Sequence, residues 1–253
     1  WPSEESVSER IVPLIISSGI KWIVADEAIL ARSLKMKKRN AALIYQPHLL
    51  ERKEGSTNII FRDRNLSDLL GFVYYNWPAG DAVADFMKHL ENISAEFKDK
   101  DILVTLAMDG ENAWEYYAND GYDFLEALYK QLSDSKFVKT TTVSEYLKTH
   151  PPKSKIKRLA SGSWIFGNFD KWMNNAYKTK AWEWLAEARK ELNDSHSEMA
   201  RKQIHILEGS DWFWWYGEDP DGSFDKLFRM HLSNFYTLIG KESPDYLKRP
   251  LTP

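Results

Sequence analysis

Asp109 is the position in this sequence best placed for acid–base chemistry. It stands directly after Asp101–Met108, an almost unbroken apolar run of the kind that forms a strand buried on both faces. A carboxyl at such a strand end sits in a partly dry environment, where desolvation raises its pKa and suits it to general-acid work. Glu111, two positions on, adds a like charge that pushes the same way. Without that chemistry, Asp109-Gly110 is a turn leading into a surface helix. The residues alone leave both readings open.

Aromatic side chains form the second signal. The chain holds 11 Trp in 253 residues, and Trp212 to Tyr216 sets aromatic rings in unbroken succession after Asp211. On a helix such a run cannot all face one core. Some rings pack between helices, and others face outward or line a cleft, where flat aromatic faces suit stacking on sugar rings. Trp164 lies in a loop between Gly162 and Gly167, where a core role is harder to assign. The histidines, at 48, 89, 150, 196, 205 and 231, lack the paired spacing of a zinc site. Asp219, Asp221 and Asp225 loosely resemble a calcium loop, but Gly222 is wrongly placed for one. There is no phosphate-binding glycine loop and no nucleophile elbow. Neither a metal nor an organic cofactor is expected.

The composition excludes several partners. Net charge is −3 with both signs interspersed, so nothing draws the chain to nucleic acid or to an anionic membrane. No stretch approaches the roughly 18 apolar residues of a membrane span. Hydrophobic residues at 43% and charged residues at 28% fit a globular class. There is no cysteine, which rules out disulfides and thiolate metal sites. The chain opens on Trp1, and we read it as a piece of a longer polypeptide.

These residues need elements to position them. Ser6 and Glu9 have capping-box spacing before a short helix that Pro13 should weaken and Gly19 should end. Ile20 to Ala25 and Asn58 to Phe61 read as strands closing on Asp26 and on Arg62-Asp63. Ser67–Tyr75, Asp81–Phe97 and Tyr122–Leu132 read as helices. Phe137–Thr142 reads as a strand, followed by a capping box at Thr142 and Glu145. After residue 150 a loop runs to Gly167, and helical periodicity then covers Lys180–Leu192, Ser195–Trp215 and Phe224–Ile239. Alternating β/α units point to a parallel barrel or a doubly wound sheet. In a barrel, Asp26, Asp63 and Asp109 would share the face that carries catalytic groups; otherwise each simply caps the next helix.

Several segments together resemble glycoside hydrolase family 57, with the flavour of its α-amylase and amylopullulanase members. They are Trp1-Pro-Ser-Glu4, Phe61-Arg-Asp-Arg-Asn-Leu-Ser-Asp68, Met108-Asp-Gly-Glu-Asn-Ala-Trp-Glu115, Ser161-Gly-Ser-Trp-Ile-Phe-Gly-Asn168 and Gly209-Ser-Asp-Trp-Phe-Trp-Trp-Tyr-Gly217. The resemblance implies an α/β fold, an incomplete parallel (β/α) barrel followed by a helical subdomain. It implies a retaining mechanism on α-glucans, with Glu4 as nucleophile and Asp109 as general acid/base. Asp211 and the stacking ring of Trp214 fall on a third conserved segment. Trp1, Arg62, Asp63, Glu111 and Trp164 are expected to contact substrate. The family opens with a strand ending in His-Gln-Pro and then a second acidic segment. Neither precedes Trp1, and Gln46-Pro47-His48 has the reverse order. The early strands are thus expected on a missing N-terminal part of the same catalytic domain.

Together these readings divide the chain into a partial barrel over 1–150, carrying the catalytic carboxylates, and a loop and helical subdomain over 151–253 completing the cleft. The expected activity is retaining hydrolysis of α-glucans. The rivals are a 4-α-glucanotransferase or branching enzyme of the same family, and a non-catalytic carbohydrate-binding remnant.

Overall fold

The computed structural model describes residues 1–98, 100–193, 197–219 and 221–251. Two compact units divide the chain, Trp1–Gly167 and Asn168–Pro253.

In the first unit, the capping box expected at Ser6 and Glu9 does not form. Val7 is instead tied to Gly162 in an antiparallel bridge, and Glu9 accepts from Arg52 and from the Leu159 amide. Helix α1 (Val12–Ser17) starts later and carries Pro13 in its first turn, where a missing N–H costs nothing. Gly19, at φ 74°, ends it as anticipated. Strand β1 (Trp22–Asp26) follows, then α2 (Glu27–Ser33) and α3 (Ala41–Ile44). Strands β2 (His48–Arg52) and β3 (Gly55–Arg62) form a hairpin. Its two-residue connection, Lys53-Glu54, is far too short for a parallel crossover, so this pair is antiparallel. Next come α4 (Arg64–Phe72), α5 (Ala79–Glu96), α6 (Tyr122–Asp134) and α7 (Val143–Thr149), the last opened by the expected Thr142–Glu145 capping box. Two-residue β4 (Ser154–Lys155) lies within the stretch read as loop, and the sheet order is β1-β3-β2-β4.

β1 and β3 pair in parallel and are buried on both faces. Ile23, Ala25, Ile59 and Phe61 pack with Val12, Ile29 and Leu30, while Val24 and Ile60 meet Ala107 on the opposite side. A further core joins Leu66 and Leu70 of α4 to Phe86 of α5 and to Phe124 and Leu128 of α6.

Two expected strands are absent. Asp101–Met108 forms no strand and, among the described residues, joins the sheet only through the parallel bridge of Thr105 to Arg62. Two of its amides go elsewhere, Leu103 to the Tyr45 carbonyl and Ala107 to the Ser67 hydroxyl. Phe137–Thr142 forms no strand. The Ser135 hydroxyl takes the amides of Phe137 and Val138 in a turn, and the polar residues after Val138 are exposed.

The second unit is helical: α8 (Asp170–Met173), α9 (Ala176–Glu191), α10 (Glu198–Leu207), α11 (Asp211–Trp215) and α12 (Ser223–Leu238). The helix expected over Ser195–Trp215 is two helices, interrupted at Glu208–Ser210. Its anticipated first residue, Ser195, and His196 lie outside the described residues. Much of the aromatic run is core. Phe213 is fully buried and stacks on Trp182 with centroids 3.4 Å apart, and the Tyr216 hydroxyl donates to Asp225. Trp215 is exposed, and Trp212 and Trp214 are half-buried.

Candidate active site

The site grows from the ends of β1 and β3. Their parallel register sets Asp26 opposite Arg62. An apolar strand followed by Arg-Asp-Arg must find partners for its charges, because an unpaired buried ion is far costlier than a paired one. Asp26 is fully buried and supplies them. It accepts from Arg62 Nε at 2.9 Å, from Arg64, and from the Ala28 amide at the start of α2. Arg62 also reaches Asp68 at 3.3 Å and the Ala107 carbonyl at 3.5 Å. Burial raises the pKa of Asp68 against the lowering effect of Arg62 and Arg64. Asp63 turns the other way. It caps α4 through the Leu66 amide and accepts from Arg39 and the Tyr45 hydroxyl. Asp26 and Asp63 therefore both cap the next helix.

Glu4 arrives from the chain's first turn, Ser3–Glu5, in which it takes the left-handed conformation at φ 57°. It is bonded to Trp164. The Trp164 amide donates to the Glu4 carbonyl at 3.0 Å, and the indole N–H donates to Glu4 Oε2 at 2.7 Å. The loop that holds Trp164 depends on Gly162, where a Cβ would lie 2.2 Å from the Gly167 carbonyl oxygen. Trp1 meets the Trp164 ring edge-on at 6.0 Å, and the Arg62 guanidinium lies 5.2 Å from that ring's centroid. Trp1 itself is 53% exposed.

Four of the residues singled out from sequence, Trp1, Glu4, Arg62 and Trp164, thus form one contiguous cluster. Asp109 is reached through the backbone. Asp63 donates its amide to the Thr105 carbonyl at 2.8 Å and Arg62 bonds the Ala107 carbonyl, so the segment leading into Asp109 runs beside the end of β3. Asp109 is half-buried, and Glu111 is exposed in the turn that follows. Asp211 and Trp214 belong to the second unit. Asp211 is exposed at the start of α11, and Trp214 packs on Trp172 with the Lys171 ammonium 4.1 Å from its centroid. Among the described residues no cluster of His, Asp or Glu could hold a metal ion. Sequence reasoning passed over Glu5, Arg64 and Asp68. The closely spaced charges directly after an apolar strand were the available signal for the latter two.

Residues 1–158 match the family profile of glycosyl hydrolase family 57. The chain belongs to that family. No curated protein sequence matches it. Among solved structures it is similar to the 4-α-glucanotransferase of Thermococcus litoralis, at 16% identity and a TM-score of 0.71, over 93% of this chain and 41% of that one. The family 57 branching enzyme of Pyrococcus horikoshii follows at 14% and 0.68, over 92% and 54%. The α-amylase AmyC of Thermotoga maritima stands at 14% and 0.67, over 94% and 58%. The chain thus spans about half the length of the structures it resembles. At these identities the likeness shows the fold, an incomplete parallel (β/α) barrel followed by a helical region. No described helix is long and apolar enough to cross a membrane.

Proposed function

We propose that the protein of which this chain is part cleaves α-glucans with retention of anomeric configuration, using Glu4 as nucleophile and Asp109 as acid/base. One observation carries the reading. The Trp164 indole N–H, which can only donate, is bonded to Glu4 Oε2 and so favours a carboxylate held in one orientation. A Glu4 oxygen attacks the anomeric carbon as Asp109 gives its proton to the leaving glycosidic oxygen, so the C1–O bond breaks and a glycosyl-enzyme forms. Asp109, now ionised, takes a proton from water. That water attacks C1 and releases Glu4. Trp1, Arg62, Asp63, Glu111 and Trp164 of the first unit are proposed to contact sugar residues, and so, in the second unit, are Asp211 and Trp214.

A transferase reading uses the same two carboxylates with a sugar hydroxyl in place of water. It is favoured by the fold shared with a glucanotransferase and a branching enzyme. Incubating the full polypeptide with maltooligosaccharides and following products by proton NMR tests both. Initial release of α-anomers supports retention, and products longer than the substrate support transfer. Initial release of β-anomers overturns the double displacement.

A further inference from the structure

Beside Glu4 lies a carboxyl that the chemistry above does not use. Glu5 is fully buried, and neither oxygen has a hydrogen-bond partner among the described residues. Arg62 Nε stands 3.9 Å from it, but that nitrogen is bonded to Asp26 at 2.9 Å. The charged groups facing Glu5 are Arg62 at the end of β3, Asp26 at the end of β1 and Arg64 at the start of α4. Asp68 lies beyond Arg62, and Glu4 adjoins in the chain. The two arginines already have Asp26 and Asp68 as counter-ions, so an ionised Glu5 would be a surplus buried charge. Such a group sheds its charge. Burial accordingly pushes its pKa from 4.5 to about 8 against the pull of Arg62. Glu4 and Glu5 are also consecutive left-handed residues, at φ 57° and 48°. Strain of this kind persists where the surroundings over-determine it.

We propose that Glu5 is a positioning residue for Glu4: as a buried, uncharged acid it leaves Arg62 bound to Asp26 and leaning on Trp164, whose indole N–H fixes the Glu4 carboxylate. Ionised Glu5 competes with Asp26 for Arg62, draws the guanidinium from the Trp164 ring and loosens the hydrogen bond to Glu4. The meaning of this for catalysis rests on Glu4 being the nucleophile. The link from Glu5 through Arg62 to Trp164 does not.

The test follows the indole N–H resonance of Trp164, in protein labelled with nitrogen-15 at tryptophan and assigned with Trp164→Phe, from about pH 6 to about pH 10. The resonance should shift with a midpoint near 8 in the unsubstituted chain and stay flat over that range in Glu5→Gln. A flat signal in the unsubstituted chain, or an unchanged midpoint in Glu5→Gln, overturns the proposal. If Glu5→Gln does not fold, carbon-13 titration of the Glu5 carboxyl in the unsubstituted chain decides. A midpoint near 8 supports it, and one near the ordinary glutamate value overturns it. Activity on α-glucan should fall through the same midpoint. If the Trp164 signal titrates as stated but Glu4→Gln keeps full activity, the linkage stands and the nucleophile assignment falls.

Discussion

Glu4 and Asp109 are both carboxylates, yet their proposed roles make opposite demands that substitution separates. In Asp109→Asn the acid is gone. Natural glucans then lose their proton donor and activity should drop by about 10²–10⁴-fold. An activated aryl glucoside needs little protonation, so its first step should suffer much less and glycosyl-enzyme should accumulate. Azide can enter where the carboxylate was and attack that intermediate, giving the α-glucosyl azide with net retention. In Glu4→Gln no intermediate forms, and azide acts only by direct displacement, giving the β-azide. The measurement is product configuration by NMR for each variant of the full polypeptide, with and without azide. Swapped outcomes would mean the pair is right and the roles reversed. Near-unsubstituted activity on α-glucan in both would remove the assignment altogether.

Elements carry these residues, and their cost of failure is structural. Asp26 joins the end of β1 to the end of β3 through Arg62 and to α4 through Arg64. Asp26→Ala takes from Arg62 and Arg64 the buried carboxylate they share and leaves Arg62 with Asp68 alone, and breaking such a buried pair should cost roughly 3–5 kcal/mol, read as a lowered urea midpoint. An unchanged midpoint would show that water reaches the two arginines. Gly162→Ala makes the loop-scale case. Its Cβ would meet the Gly167 carbonyl oxygen at 2.2 Å, which is backbone and cannot rotate away. Overpacking should cost roughly 1–3 kcal/mol, with loss of the Trp164 bond to Glu4, detected as a moved indole resonance. The same elements show what the sequence could reveal. β1 and β3 were legible as short apolar runs closing on charged residues, and α5, α6 and α12 from their helical apolar period. The 101–108 run has the composition of a buried strand, but laddering depends on neighbours, and its amides find Tyr45 and Ser67 instead. Phe137–Thr142 was misread for the converse reason, since β-propensity without burial does not hold a strand. At the site, the Trp164 indole contact joins residues 160 positions apart, and no local pattern encodes it. Glu5 was illegible because two of the charges that face it, Arg62 and Arg64, lie almost sixty residues away in the sequence.

At the scale of the whole molecule, buried titratable groups of the first unit set how stability varies with pH. His48 is buried and bonded to the Leu43 carbonyl and Ser154, and burial lowers its pKa below 6.5. The unfolded chain binds more protons there, so this group makes stability rise as pH climbs towards 6.5. Glu5 works in the opposite sense. Its folded pKa of about 8 lies above the unfolded value of 4.5, so the folded chain binds the extra proton between those limits. Its contribution is therefore fully present below 4.5 and is lost as pH rises to 8. Below pH 6.5 the two slopes oppose each other; above it the Glu5 contribution remains, and the raised Tyr45, Tyr74 and Tyr117 titrate at higher pH. Stability should then fall by at most about 1.4 kcal/mol per pH unit between about pH 6.5 and about pH 8, the limit for a single proton. In calorimetry the transition of the first unit should drop by a few degrees across that interval. Glu5→Gln should flatten this decline whatever it does to the absolute midpoint, because an amide has no proton to lose. His48→Gln should leave the decline intact and change only the slope below about pH 6.5. A decline that survives Glu5→Gln would mean that another buried group, and not Glu5, holds the proton.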